Sequence, residues 1–377
     1  MIKQPTLYRP NWVEINLGNA RQNIRSIAKH LSPGAKIMPV IKDNAYGHGS
    51  VEFAKALLKE KSVWGFGVAS LEEAVTLRDN GINSPVLLLG AFYPFDYLKD
   101  ALKYKVTPTI TSVKALRHYS KFANKAGRTG RFHLKVDTGM GRIGLRPGEL
   151  DGFIEKLRAH KNLVMEGVFT HFSSADSSGD HTKFQIREFG KVIEDIKKAG
   201  LNSVLFHAAN SAGIMKFHEA HFSLVRPGLA IYGLLPFADS QKYVATKPIL
   251  SWKTRIADIR YIPKGMPVSY SRTFITKRDS LIAVLPAGYG DGYNRLLSNR
   301  GYVKVGNKTA PVAGRVTMDL TMVDVTGLRN VKVGDEVTLL GSGVSAEDIA
   351  GLCSTISYEI TCNINSRVPR IYSGETC

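Results

Sequence analysis

Lys42 closes a short apolar run in VIKDNAYGHG (40–49). A lysine at the end of a buried strand either carries its ammonium to the rim or sits partly desolvated. In the second case its pKa falls and the neutral amine can attack a carbonyl to form a Schiff base. Tyr46 follows four residues later, on what the spacing makes a first helical turn, with Gly47 and Gly49 allowing close backbone approach. Its phenol could bond a phosphate or simply pack. In LKVDTGMGRIG (134–144), Lys135, Asp137 and Arg142 share one strand end and a Gly-rich loop. An arginine fork suits a carboxylate or a phosphate, and an ion pair with Asp137 is its structural alternative. His171, in FTHF, reads either as a packed ring or as a plane for an aromatic ligand. Asn210 and Ser211 lie in HAANSAG, and Arg226, Gly228 and Leu229 in VRPGLAIYG. Ser211 and the amides of Gly228 and Leu229 are the hydroxyl and backbone N–H groups that hold phosphates.

Such residues act together only if the fold brings their strand ends to one place. Between about 36 and 240, short apolar runs alternate with amphipathic stretches, the pattern of βα units. Eight runs read as strands: 36–42, 63–70, 84–91, 106–111, 131–137, 163–171, 203–210 and 223–233. Helical text at 71–81, 113–127 and 183–200 lies between them. Eight strands fit a (β/α)8 TIM barrel over 11–240, because an open sheet has no reason to stop at eight. Chemistry is then expected where strands end, with a phosphate between the loops after strands seven and eight. A phosphate seat there, with Lys42 across the mouth, points to pyridoxal phosphate. Beyond 240 the text is alternating and turn-rich, apart from a short helix at 346–355, so a mostly β domain over 241–377 follows, with residues 1–10 packing on it. WVEINLG (12–18) reads either as a strand or as the lead into the first helix.

Composition narrows the function classes. Hydrophobic residues make up 44% and charged residues 22% of the 377, values of a globular protein that can bury a large core. The net charge of +19 is spread evenly, 33 basic against 21 acidic residues up to 240 and 18 against 11 beyond, with no basic block or tail. That distribution excludes a dedicated nucleic-acid binder and leaves solubility and the steering of anionic small molecules. The three cysteines, Cys353, Cys362 and Cys377, have no CxxC spacing, so neither a disulfide framework nor a metal site is encoded. With no apolar leader and no run long enough to span a membrane, a cytoplasmic protein is expected.

VIKDNAYGHG, KVDTGMGRIG, THF, HAANS, RPGLAIYG, VSYSRTF (268–274), GYGDGY (288–293), GRVTMD (314–319) and RVPR (367–370) occur in the order found in one family. The sequence resembles the pyridoxal-phosphate-dependent alanine racemases of fold type III, from about residue 11 to Tyr372. The resemblance implies a homodimer that interconverts L- and D-alanine and supplies D-alanine for peptidoglycan. A broader racemase acting on serine or lysine is the alternative.

The resemblance also implies roles. Lys42 matches the cofactor-bearing lysine, which takes the α-proton of the D-enantiomer. Tyr270 matches the base for the L-enantiomer and reaches the barrel mouth of the other subunit. A tyrosine, ordinarily near pH 10, needs neighbouring cations to act as a phenolate. Arg226 matches the arginine facing the pyridine nitrogen. A guanidinium only donates, so the ring remains a weaker electron sink, which favours return of the proton to Cα and hence racemisation over transamination. Arg142 resembles the residue that bonds the cofactor's phenolic oxygen near the substrate carboxylate, and Lys135 a lysine carried as a carbamate. His171 resembles the ring-stacking histidine. Tyr46, Asn210, Ser211, Gly228 and Leu229 resemble cofactor contacts, the Met318 amide a carboxylate contact, and Tyr289 and Asp319 entryway residues from the partner. Where some members place a tyrosine before RVPR, this chain has Ser366, and the phosphate contact expected there is absent or bridged by water.

Overall fold

A computed structural model describes residues 7–91 and 93–374. Its first strand, β1 (Asn11–Asn16), stands outside the barrel. The barrel strands are β2 (Lys36–Ile37), β3 (Phe66–Val68), β4 (Val86–Leu88), β5 (Thr109–Ile110), β6 (Gly130–Lys135), β7 (Leu163–Phe169), β8 (Leu205–His207) and β9 (Leu224–Val225). All eight expected strands are present, and each pairing between them is parallel. β2 pairs with β9 to close the ring, bridges at Ile37–Val63 and Val40–Gly67 join β2 to the β3 segment, and a Leu87–Thr107 bridge joins β4 to the β5 segment. Between β8 and β9, Ser223 N–H donates to Phe206 O and Arg226 N–H to Ala209 O. The strands are shorter than their apolar runs, and residues just past several strand ends, such as Lys42, His171 and Arg226, form the mouth.

Helices cover the outside where the amphipathic spacing falls, at Leu71–Asp79, Val113–Lys125 and Gly179–Lys198. The first opens with a capping box between Ser70 and Glu73. Glu73 also accepts the N–H of Ala69 at 2.7 Å and of Asp43 at 2.5 Å, which ties this helix start to the segment after Lys42.

The second domain contains β10 (Leu250–Arg255), β11 (Asp258–Ile262), β12 (Pro267–Val268), β13 (Phe274–Ile275), β14 (Ser280–Leu285), β15 (Tyr302–Val305), β16 (Lys308–Pro311), β17 (Thr321–Asp324), β18 (Glu336–Leu340) and β19 (Arg370–Ser373). Six strands form one sheet in the order β16-β15-β18-β10-β1-β19, three form another in the order β11-β14-β17, and β12 with β13 makes a hairpin beside Tyr270. Here the expected boundary is corrected. Residues 11–16, counted with the barrel from the sequence, pair antiparallel with β10 and parallel with β19. Arg9 bonds to Asp291, and Pro10 O accepts from Thr254 and Arg255, so this end of the chain packs on the β domain; residues 1–6 lie outside the described residues. The expected short helix is present at Ala346–Cys353, and a second one follows at Ser357–Cys362. Val13 and Ile15 of β1 belong to the same apolar core as Trp252 and barrel residues such as Ile41 and Phe66, which joins the two domains.

Candidate active site

The strand ends surround a cavity of about 780 Å³. Lys42, Tyr46, Lys135, Arg142, His171, Asn210, Ser211, Arg226, Gly228 and Leu229 all line it, gathered from separate segments of the barrel.

Lys42 and Tyr46 share a face through an unusual turn. Asp43, Asn44, Ala45 and Tyr46 have φ of 52°, 50°, 56° and 53°, so the helical turn expected from their spacing is left-handed. For non-glycine residues this costs roughly 1–2 kcal/mol each. Long-range bonds offset the cost. Glu73 accepts from Asp43 N, Asn44 Oδ1 accepts from Ser50 N at 2.9 Å, and Arg370 Nε donates to Gly47 O at 3.1 Å. Like its right-handed counterpart, the turn sets residues four apart on one side.

A polar seat lies beside this turn. Ser211 Oγ accepts the N–H of Gly228 at 3.0 Å and of Ala230 at 3.2 Å, which leaves the hydroxyl proton free to donate. A Cβ at Gly228 would stand 2.9 Å from the Tyr46 hydroxyl, so the missing side chain lets two hydroxyls and the backbone converge. Burial pushes the Tyr46 phenol up, which keeps it a neutral donor. Asn210 lines the cavity and also caps the helix Ser211–Lys216, its Oδ1 accepting Gly213 N–H at 2.9 Å.

Arg226, 3% exposed, fixes another wall. It donates to Thr170 O at 2.6 Å, to Ala208 O at 2.9 Å and to His207 Nδ1 at 2.7 Å. Burial pulls its guanidinium down to about 9, and it remains protonated at neutral pH. His171 lies 3.4 Å from Arg226 through Nδ1; burial first, and then Arg226, push this ring well below its usual range, so it is neutral. Lys135, 5% exposed, is pulled down to about 8 by burial and by Arg226 and Arg142, against the pull of Asp137. Asp137 closes the loop rather than pairing with Arg142. Its carboxylate accepts the N–H groups of Gly139, Met140 and Arg142, which outweigh partial burial and hold its pKa down, and among the described residues no ion pair joins it to the Arg142 guanidinium. This donor set fits a phosphate-bearing heterocycle, with hydroxyls and backbone at one place, a fixed guanidinium at another and a lysine at the rim.

The lining includes residues of the second domain that the sequence did not point to. Ile356, Tyr358 and Cys362 come from the second domain, two of them on the short helix Ser357–Cys362. At six residues this helix is too short to carry a periodic signal in the sequence. Burial pushes the Cys362 thiol up to about 12, so it is protonated. Ser366 is exposed and outside the lining.

Tyr270, Tyr289, Met318 and Asp319 do not line the cavity of their own chain. Tyr270 stands on the turn Tyr270–Arg272 and is 70% exposed, and Met318 is 54% exposed. Tyr289 N–H donates to Thr317 O, and Gly290 N–H to Met318 O, both at 2.9 Å. Arg367 joins Asp319 at 2.8 Å to the fully buried Asp291, so these residues form one ordered surface.

Residues 15–236 match the model of the alanine racemase N-terminal domain, and residues 249–372 that of the alanine racemase C-terminal domain. Alanine racemase from Carboxydothermus hydrogenoformans is 45% identical over 370 residues, covering 97% of this chain and all of the relative. The structure of alanine racemase from Clostridium difficile superposes with a TM-score of 0.93 at 36% identity, covering 98% of this chain and 97% of the other. That of alanine racemase from Bacillus anthracis with bound L-Ala-P gives 0.91 at 35% identity, covering 98% and 97%.

Proposed function

The chain belongs to the alanine racemase family, isomerases that interconvert L- and D-alanine, and from that premise we propose that it works with pyridoxal phosphate at the barrel mouth and with Lys42 and Tyr270 as opposed bases. The observation that carries this reading is the convergence of Lys42, Tyr46, Ser211, Gly228 and Arg226 on one cavity. The Tyr46 and Ser211 hydroxyls and the backbone at Gly228 and Leu229 hold the phosphate, with the Asn210 amide beside them. Arg226 faces the ring nitrogen and the flat, neutral His171 ring stacks. When bound, the cofactor withdraws electrons from Cα and so acidifies the α-proton. Lys42 holds the cofactor and exchanges that proton on one face of Cα, while Tyr270 exchanges it on the other, so a proton removed from one side and returned on the opposite side inverts the centre.

Arg142 orients the substrate carboxylate together with the Met318 amide. Lys135 supports Arg142 as a carbamate: the lowered pKa keeps part of the amine neutral, and that form adds to carbon dioxide with loss of a proton to solvent. Because Tyr270, Met318, Tyr289 and Asp319 face outward, they serve the mouth of a second copy, and the active unit is a homodimer. Among the described residues no helix is long and apolar enough to cross a membrane. A cytoplasmic enzyme supplying D-alanine for peptidoglycan fits this reading.

The deciding test is chiral chromatography after incubating L-alanine with the protein and pyridoxal phosphate, with L-serine and L-lysine in parallel. An approach to equal D and L forms, fastest for alanine, is expected. Cofactor binding without any D-product would sink the racemase reading, and a faster serine or lysine reaction would make the enzyme a broader racemase.

A further inference from the structure

Arg226 is held from behind by two histidines that stand two strands apart. Its Nη1 bonds His207 Nδ1 at 2.7 Å, and His207 Nε2 lies 2.8 Å from His133 Nδ1. His133 is on β6 and His207 ends β8, so their rings must meet across β7. They do so at Gly167, the partner of His133 in register, where a Cβ would lie 2.4 Å from the His133 ring. Both rings are fully buried, and Phe169 stacks on His207 at 4.8 Å. Beyond them, His133 Nε2 has no hydrogen-bond partner and lies 3.7 Å from Glu166 Oε2. Glu166 also approaches Arg131, at 3.6 Å.

The proton positions follow from Arg226. A guanidinium only donates, so His207 Nδ1 must be bare and its proton must sit on Nε2. That N–H requires an acceptor at His133 Nδ1, which places the His133 proton on Nε2, facing the Glu166 carboxylate. The opposite polarity would set two N–H groups against each other beside Arg226. Burial pushes both rings down and keeps them neutral. The line therefore has one direction, from the guanidinium at the mouth to a carboxylate on the far side.

We propose that His207, His133 and Glu166 are positioning residues that orient Arg226 toward the ring nitrogen of the bound cofactor, the guanidinium setting the tautomer of both histidines and the Glu166 carboxylate facing the outer Nε2–H. The inference rests on the cofactor reading above, and its test separates the two. In the holoprotein carrying nitrogen-15 histidine, His133 and His207 are expected as neutral Nε2–H forms from about pH 6 to pH 9. Glu166→Gln keeps the shape but replaces the carboxylate with a neutral amide, so both rings should stay Nε2–H while the His133 Nε2 proton resonance moves upfield.

In the full chain freed of cofactor, the same variant should bind deoxypyridoxine phosphate about fivefold more weakly, roughly one hydrogen bond. Its binding of the analogue with carbon in place of the ring nitrogen should be unchanged. An Nδ1 proton on either wild-type ring, or a His133 Nε2 proton that does not respond to the variant, overturns the proposal. An equal loss for both ligands also overturns it, because that marks general loosening. If wild type binds neither ligand, the cofactor reading fails, and the tautomers alone decide the relay.

Discussion

Burial and two arginines act on Lys135 in the same direction, and the result is readable as stability. Its pKa falls from the ordinary 10.5 to about 8 in the folded chain. Between those values the unfolded chain binds the proton and the folded chain does not, so the Lys135 contribution to stability rises with pH across this window and is least favourable below about 8. At 1.36 kcal/mol per unit, the rise is about 3 kcal/mol. Urea unfolding of wild type and Lys135→Met in buffer free of carbon dioxide should show the difference between them changing by that amount from neutral pH upward. Bicarbonate should remove most of the change, because a carbamate no longer carries the ammonium into the core. A difference that stays flat without bicarbonate would give Lys135 an ordinary lysine's pKa. At this scale the sequence is informative where a charged residue ends an apolar run, as at Lys42, Lys135 and Arg226. It leaves open what each group touches: Asp137 turns out to close its loop and Asn210 to cap a helix, outcomes that depend on which N–H groups the backbone brings within reach.

The turn after Lys42 shows what an element can demand of distant chain. Four consecutive left-handed residues cannot be stable on local propensity, and Arg370 supplies part of what holds them. Its guanidinium donates to Ile364 O, Asn365 O, Val368 O and Gly47 O, which fastens the last strand of the β domain to the segment between Lys42 and Ser50. Removing those bonds leaves carbonyls without partners, so Arg370→Ala should destabilise the chain by about 3 kcal/mol in urea and release bound pyridoxal phosphate faster on gel filtration. A loss below about 0.5 kcal/mol would mean that water replaces the bonds without cost. The sequence suggests a helical turn after Lys42, and residues four apart share a side of such a turn in either hand. The hand itself was not legible, since it is set by tertiary contacts, from Glu73 and from Arg370, 323 residues beyond Gly47. β1 is similar: WVEIN alternates as a strand should, but its partners β10 and β19 are non-local, and local pattern cannot choose between sheets. The helix Ser357–Cys362 is shorter than two turns, too short for periodicity to stand out against its surroundings.

For the molecule as a whole, the barrel was legible because each parallel strand is buried on both faces and announces itself as an apolar run, eight times over. Assembly was not legible from the residues themselves, since an exposed tyrosine and an exposed methionine are ordinary on any surface; only the order of motifs pointed to it. Within one chain Lys42 lines the cavity and Tyr270 does not, so the proposed inversion by opposed bases would draw Tyr270 from a second chain. This has a consequence that activity of single variants cannot provide. Lys42→Ala and Tyr270→Phe should each abolish most turnover alone. Mixed and allowed to exchange subunits, they form hybrid dimers in which one mouth has lost both bases and the other has both intact, Lys42 from one chain and Tyr270 from its partner. Statistical exchange makes half the dimers hybrid with one working mouth of two, so turnover should recover to about a quarter of wild type. If Tyr270 instead acted on the Lys42 of its own chain, every mouth in the mixture would lack one base, and exchange would recover nothing.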